Sequence, residues 1–310
     1  MTAKYINKSI ASISSLAKAL EITENELLEI HQKSESYYFI TKVIPKPDGS
    51  TRTTYDVKKQ LKDIHEKIKT NIFQNVTYPK YLQGGIKGRD YISNTRIHAG
   101  RKFLITEDIS NFFPSINSDI VKKMWLHLFN FSPDVAIILT NLTTLNGFVP
   151  QGAKTSSYIA NLILGDKEDV LIKRLNEKGM LYSRLVDDIT VSCNYRPSVR
   201  LRTAVISEIF GMLLSKNVTP NRKKHKIMPA GCTQKIHNLN VNTGKPTLPK
   251  EERSRIRAAI HQCENMAKLS KKTEAYRQLF KSTEGRVNML ARIQPKQAQQ
   301  FKERLSKIKP

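Results

Sequence analysis

LYSRLVDDITVS, Leu181 to Ser192, is the stretch on which the reading of the fold turns. Two apolar runs of β character flank the adjacent carboxylates Asp187 and Asp188, a pattern that predicts a tight hairpin with both acids at its tip. Neighbouring like charges repel, and their pKa values rise unless a cation or hydrogen-bond donors come between them. A divalent metal would supply that cation. An ordinary polar Asp-Asp turn is the plain alternative, and two stretches further out bear on the choice.

Upstream lies RKFLITEDISNFFPSI, Arg101 to Ile116. Phe103 to Ile105 form a strand-like run that delivers Asp108 at its end, followed by the aromatic pair Phe112 and Phe113 and a proline. Asp108 supplies a third carboxylate, the number needed to hold two Mg²⁺ ions when substrate phosphates and water fill the remaining positions. Between the two acidic stretches, Gly147 to Leu162 reads GFVPQGAKTSSYIANL. Pro150-Gln151-Gly152 is a turn, and Thr155 to Ser157 offer capping hydroxyls to a helix running through Ile159, Leu162 and Ile163. A well-capped helix would need no more than this; a functional turn would give Gln151 and its backbone a base or sugar to touch.

The composition narrows the partner. The chain has 310 residues, 39% of them hydrophobic, enough for one large domain or two smaller ones. Lys and Arg total 52 against 27 Asp and Glu, a formal charge of +25 that implies a polyanionic partner, with nucleic acid leading. No apolar run approaches transmembrane length and the N-terminus lacks the apolar core of a signal peptide, so neither membrane binding nor export is expected. Cys193, Cys232 and Cys263 are odd in number and not spaced as a zinc site, which suggests reduced thiols in a cytoplasmic protein.

The remaining chain reads as support. Residues 9 to 35 look like a helical lead-in, with the Thr-x-x-Glu form of a capping box at Thr23 to Glu26. Tyr37 to Tyr55 reads as two strands around Pro47-Asp48-Gly49, with Lys46 and Arg52 near the turn: a basic hairpin able to reach a phosphate chain, or simply a solvated one. Lys58 to Phe73 predicts an amphipathic helix. The Gly84-Gly85-Ile86-Lys87-Gly88-Arg89 loop is rich in glycine and base but lacks P-loop spacing. His98 reads as a structural histidine with a hydrogen-bonded partner, because no second His or Cys stands at ligand spacing. Ser118 to Asn146, holding the only tryptophan, Trp125, reads as helical core, Arg200 to Leu214 as another helix, Lys216 to Lys226 as a basic turn, and Leu239 to Val241 as a short strand. From Pro246 the composition turns basic and helical, with Arg253, Arg255 and Arg257 largely off the apolar face, which places a boundary near residue 245 and favours contact with a phosphate backbone.

Taken together, DISNFF, PQGAKTSSYIANL and LVDD in this order resemble the motifs of a reverse transcriptase, and within that class the compact bacterial retron type. The resemblance covers nearly the whole chain. It implies an α+β right-hand polymerase fold: a helical lead-in (1–35), fingers and an antiparallel palm with helices (36–245), and a basic helical thumb (246–310). It implies RNA-directed DNA polymerase activity with two Mg²⁺ ions on Asp108, Asp187 and Asp188. Phe113 would lie under the sugar and exclude a 2′-hydroxyl while Phe112 turns into the palm. Gln151 and Gly152 would border the nascent pair, Lys46 and Arg52 would hold the triphosphate, and Lys224, flanked by Lys223 and Lys226, would sit near the incoming dNTP. The implied partners are a structured noncoding RNA serving as template and primer, its DNA product, and a defence effector protein against phage.

Some positions depart from the family pattern. Leu185 and Val186 replace the usual Tyr-Ala before the acids, which should alter packing against the primer end more than metal binding. The retron Asn-Ala-x-x-His pattern stands here as Asn94-Thr95-Arg96-Ile97-His98, and the later Val-Thr-Gly as Ile236-His237-Asn238, regions associated with recognition of the retron's own RNA. Two other readings compete: another bacterial defence or intron-derived reverse transcriptase, and a noncatalytic RNA-binding scaffold for an effector. Retention of all three carboxylates disfavours the scaffold, which has no use for mutually repelling acids.

Overall fold

Why the N-terminal helices begin where they do is plain from their caps. In a computed structural model that describes residues 2–46 and 49–310, Ser12 accepts from the Ser15 amide to start α1 (Ile13–Ala19), and Thr23 accepts from the Glu26 amide to start α2 (Glu24–Gln32). Leu16, Leu20, Leu27 and Ile30 of this lead-in are buried in the main core. β1 (Tyr38–Pro45) and β2 (Thr51–Val57) then pair antiparallel as the expected hairpin; Pro47 and Asp48 of its turn lie outside the described residues.

The helix expected over Lys58 to Phe73 is α3 (Lys59–Lys67) followed by a π turn at Ile68–Ile72 and a 3₁₀ turn at Phe73–Asn75. Further along come β3 (Leu82–Gln83), α4 (Tyr91–His98) and β4 (Phe103–Asp108). The segment expected as helical core is so, in two helices, α5 (Ser118–His127) and α6 (Pro133–Thr143), the second capped by Ser132 with proline at its first position. Trp125 of α5 is fully buried, its ring 4.8 Å from that of Phe129 and 5.2 Å from that of Phe73. α7 (Ser156–Leu162) and α8 (Gly165–Glu177) lead into β5 (Leu181–Leu185) and β6 (Asp188–Cys193), and α9 (Val199–Leu214) precedes β7 (Lys226–Pro229).

One five-stranded sheet, in the order β3-β5-β6-β4-β7, carries the acids. All its pairings are antiparallel except the short β3–β5 contact. β4 and β6 are buried along nearly their whole length; β4 opens on the apolar run Phe103–Ile105, whereas β6 alternates Asp188, Thr190 and Ser192 with Ile189, Val191 and Cys193, and α4 and α8 pack against the sheet. A two-residue ladder joins Lys235–Ile236 to Leu239–Asn240 beyond the sheet.

The basic C-terminal segment forms α10 (Lys250–Leu269), α11 (Glu274–Ile293) and α12 (Pro295–Ser306) around a second core that includes Ile260, Cys263, Tyr276 and Leu290. Ile92 and Leu239 join this core, so it is seated on the palm. Cys193, Cys232 and Cys263 are free thiols. No described helix is long and apolar enough to cross a membrane.

Candidate functional site

Leu185 pairs with Asp188, leaving Val186 and Asp187 as a two-residue turn. Val186 sits at φ +57°, a left-handed conformation that a β-branched residue adopts only under strain of about 1–3 kcal/mol. The surroundings hold it there. Arg184 Nη1 donates to the Val186 carbonyl at 2.9 Å, and the Ile109 amide donates to the Asp187 carbonyl at 3.0 Å. Arg184 is wholly buried, and its five N–H groups are all used: Nε and Nη2 donate to Glu168 at 2.6 and 3.0 Å, and the others reach the carbonyls of Ala160, Asn161 and Val186. Tyr182 adds a hydroxyl donor to Glu168 at 2.7 Å.

Asp108, the last residue of β4, is the register partner of Asp188, the first of β6. Directly opposed residues place their Cβ atoms about 4.5–5.5 Å apart, and like charges so placed repel. Asn221 Nδ2 donates to Asp108 Oδ1 and Lys224 Nζ to Oδ2, both at 2.9 Å. Burial raises the Asp187 pKa, with Asp108 adding to it and Lys224 and Arg52 opposing. Burial, then Asp187 and Asp108, push Asp188 up to about 7, against Lys224 and Lys226. The Asp188 side chain keeps 45% of its surface open, which tempers the effect of burial; the repulsion from two neighbouring acids remains. Bonding to Asp108 raises the Lys224 pKa in turn.

Three carboxylates under mutual repulsion are a donor set suited to a hard divalent cation, and each bonded Asp108 oxygen retains a second lone pair for it. Among the described residues, no group of three His, Cys, Asp or Glu side chains is already drawn together at coordinating positions. The fit is one of charge and donor type.

The other residues singled out in the sequence fall around this centre in different ways. Lys46 Nζ donates to Asn111 Oδ1 at 2.9 Å, bringing the fingers hairpin to the DISNFF turn. Arg52 is near enough for its charge to act on Asp187. Phe112 is buried with the Arg184 guanidinium 5.9 Å from its ring centre, while Phe113 is only partly buried. The Gln151 carbonyl accepts from the Tyr55 amide at 2.8 Å, and Gly152 lies at φ +115° where a Cβ would meet the Tyr55 carbonyl oxygen at 2.5 Å. The Pro-Gln-Gly turn therefore clamps the fingers hairpin by backbone contact. Arg255 and Arg257 are exposed on α10, bonded to Glu252 and Ser254, and Arg253 is half-buried.

One expectation is corrected. Thr155 stands before α7 without a side-chain cap, its hydroxyl buried and unpartnered, and the Ser156 hydroxyl donates to the Pro150 carbonyl instead at 2.6 Å. The hydroxyls thus tie the helix to the Pro-Gln-Gly turn. His98 is structural, as expected, bonded to Ser183 and Ser192 at 2.7 Å each.

Sequence reading missed Arg184, Glu168 and Asn221. A charge inside an apolar strand was the available signal for Arg184; Asn221 was hidden among the lysines of its turn. Glu107, beside Asp108 but bonded to His225 Nδ1 at 2.6 Å, was also missed, and its pKa is raised by burial despite that bond.

Comparison with known proteins agrees with this geometry. The family model described as reverse transcriptase (RNA-dependent DNA polymerase) matches residues 44–281. The chain is 36% identical to the Retron Se72 reverse transcriptase of Salmonella heidelberg (strain 579083-10), over 99% of this chain and 82% of that protein. It is likewise 36% identical to the Retron Ec48 reverse transcriptase of Escherichia coli, over 98% of this chain and 78% of that protein. Among solved structures, a telomerase from Candida albicans covers 92% of this chain and 58% of its own at 12% identity and a TM-score of 0.48, too loose a likeness to add to the argument. Asp108 and Asp188, in register on the palm sheet, and Asp187 in the adjoining turn thus belong to an RNA-directed DNA polymerase with the right-hand fold, and the chain is a member of the retron reverse transcriptase family.

Proposed function

We propose that this polymerase copies a dedicated structured noncoding RNA into a short DNA that stays joined to it, the RNA-linked multicopy single-stranded DNA of a retron. The observation that carries the reading is the convergence of Asp108, Asp187 and Asp188 with Lys224 at the mouth of the palm. Reverse transcriptases work with divalent metal ions, and here Asp108, Asp187 and Asp188 would hold two Mg²⁺. Bound there, the ions would lower the pKa of the priming hydroxyl and neutralise the triphosphate and leaving pyrophosphate.

The chain's own residues do the rest. Lys46 and Arg52 hold the triphosphate of the incoming dNTP. Phe113 lies under its sugar and rejects a 2′-hydroxyl, Gln151 and Gly152 border the nascent pair, and Lys224 exchanges its bond to Asp108 for the arriving phosphates. Arg253, Arg255 and Arg257 of the thumb contact the nucleic-acid backbone, and the +25 charge sets its overall affinity. Residues 1–35, 36–245 and 246–310 act as lead-in, fingers with palm, and thumb. Priming from a 2′-hydroxyl of the same RNA, a cytoplasmic location and service beside an effector protein in anti-phage defence complete the reading.

The test is to purify the protein with its bound nucleic acid, treat samples with RNase or DNase, and repeat with Asp187→Asn/Asp188→Asn. A short DNA joined to a structured RNA, absent from the variant, supports the proposal; RNA alone, equal in both, would replace it with a scaffold.

A further inference from the structure

The Asn94–His98 segment of α4 and the Ile236-His237-Asn238 turn are far apart in sequence, yet they meet beside the catalytic hairpin. His237 and Asn238 both adopt left-handed backbone, at φ +47° and +63°, which closes a two-residue turn and fixes where the imidazole points. The ring is largely buried, with 12% of its side chain exposed. Its Nε2 lies 2.8 Å from Asn94 Nδ2, and its Nδ1 lies 3.5 Å from Asp188 Oδ2. The second distance marks an electrostatic contact longer than a formed hydrogen bond.

The direction of every link follows from which atoms can donate. Ser183 Oγ donates to Asn94 Oδ1 at 2.5 Å, so the Asn94 amide turns its Nδ2 to the histidine, and an amide nitrogen can only donate. His237 Nε2 is therefore an acceptor, and the ring hydrogen is on Nδ1, facing Asp188. Having spent its hydrogen on Asn94, Ser183 accepts from His98 Nε2–H at 2.7 Å. His98 is neutral, its pKa lowered to about 3 by burial, so Nδ1 accepts from Ser192 at 2.7 Å. Ser192, His98, Ser183, Asn94 and His237 thus form a chain in which each member donates to the next, and whose last N–H is carried by the nitrogen 3.5 Å from Asp188 Oδ2. Such alignment polarises successive bonds in one sense.

We infer that His237 is a positioning residue for Asp188: the chain locks its tautomer and ring so that Nδ1–H holds the carboxylate in the orientation that receives metal. This rests on Asp188 as a metal-holding carboxylate. Outer partners of ligating groups affect metal affinity or activity about 10–100-fold. Neither His237 nor Asn94 needs to touch metal or nucleotide for this.

The experiment uses the full chain and two readouts at one fixed pH: Mn²⁺ binding by calorimetry, and the Mg²⁺ concentration giving half-maximal dNTP incorporation. His237→Phe keeps a ring without the N–H. Asn94→Leu keeps the size of the side chain but removes the donor to Nε2, so that nothing fixes the hydrogen on Nδ1. His237→Asn restores a donor near the Nδ1 position and tolerates left-handed backbone. The expected result is Mn²⁺ affinity and Mg²⁺ requirement impaired about tenfold in His237→Phe and in the same direction in Asn94→Leu, most of it recovered in His237→Asn, with the dNTP KM at saturating Mg²⁺ unchanged. Wild-type metal behaviour in His237→Phe or in Asn94→Leu overturns the inference, as does His237→Asn no better than His237→Phe; if His237→Phe fails to fold, Asn94→Leu decides. Mn²⁺ binding that Asp188→Asn leaves intact would instead sink the metal assignment of Asp188, and the inference with it.

Discussion

On the inner side of the Val186–Asp187 turn lie Arg184 and Glu168, both without solvent exposure and with every guanidinium hydrogen placed. On the outer side lie Asp187 and Asp188, which repel each other and Asp108, with Lys224 as partial compensation. The inner charges are satisfied within the protein and serve its shape. The outer charges are left short of compensation, which suits a site that takes its remaining cations from substrate and solvent.

Substitutions on the two sides should therefore separate stability from activity. The largest effect is expected from Asp187→Asn: polymerase activity falls about a thousandfold or more, several kcal/mol of transition-state stabilisation at tenfold per 1.36 kcal/mol, while metal-free thermal stability holds or rises because a repelling charge is gone. Loss of stability with preserved activity would erase the contrast. Glu168→Ala, on the inner side, should cost about 3–5 kcal/mol by leaving a buried guanidinium unpaired, read as a lower urea midpoint. A cost below about 1 kcal/mol would mean that water or a neighbour replaces the carboxylate.

Gly152→Ala tests the clamp between the two sides and the fingers. A methyl at φ +115° facing the Tyr55 carbonyl should cost about 1–3 kcal/mol and raise the dNTP KM as the hairpin lifts away. The smallest effect is in pH. With its folded pKa raised to about 7, Asp188 binds its proton more tightly in the folded than in the unfolded chain. Its contribution is therefore fully present below the unfolded carboxylate pKa and is lost as pH rises towards about 7. The metal-free thermal midpoint of the wild type should thus drop relative to Asp188→Asn across that window; parallel curves would show that the open side of Asp188 cancels the shift.

What the sequence made legible depended on which physical force acted at each place. The Leu181–Cys193 hairpin, β4 and the thumb helices announce themselves through apolar runs and periodicity, and the three acids through their order. The π turn at Ile68–Ile72 leaves the apolar pattern of a helix intact, so nothing in the residues marks it. The break between α5 and α6 carries its own signal, Ser132-Pro133, a cap followed by a proline at the first helical position. α8 went unread because Ile163 and Leu164 extend the apolar run of α7 up to it and no capping side chain marks its start at Gly165. Gly152 was placed beside the substrate by motif, but its contact with Tyr55 is made by backbone, which no side-chain pattern encodes. The Asn94–His237 bond joins two stretches that both depart from the family pattern but stand 143 residues apart, a pairing that no local spacing encodes.

The strand order has a consequence for how the enzyme comes into being. Among the described residues β4 pairs only with β6 and β7, both made much later in the chain, so on the ribosome it waits unpartnered while α5 to α8 are synthesised. Such distant pairing slows folding and leaves strand edges exposed meanwhile. Asp108 meets Asp187 and Asp188 only once β6 has emerged, and Asn221 and Lys224 reach Asp108 later still. A nascent chain thus holds no assembled site until its palm is complete, and an RNA partner captured earlier would be bound before it could be copied.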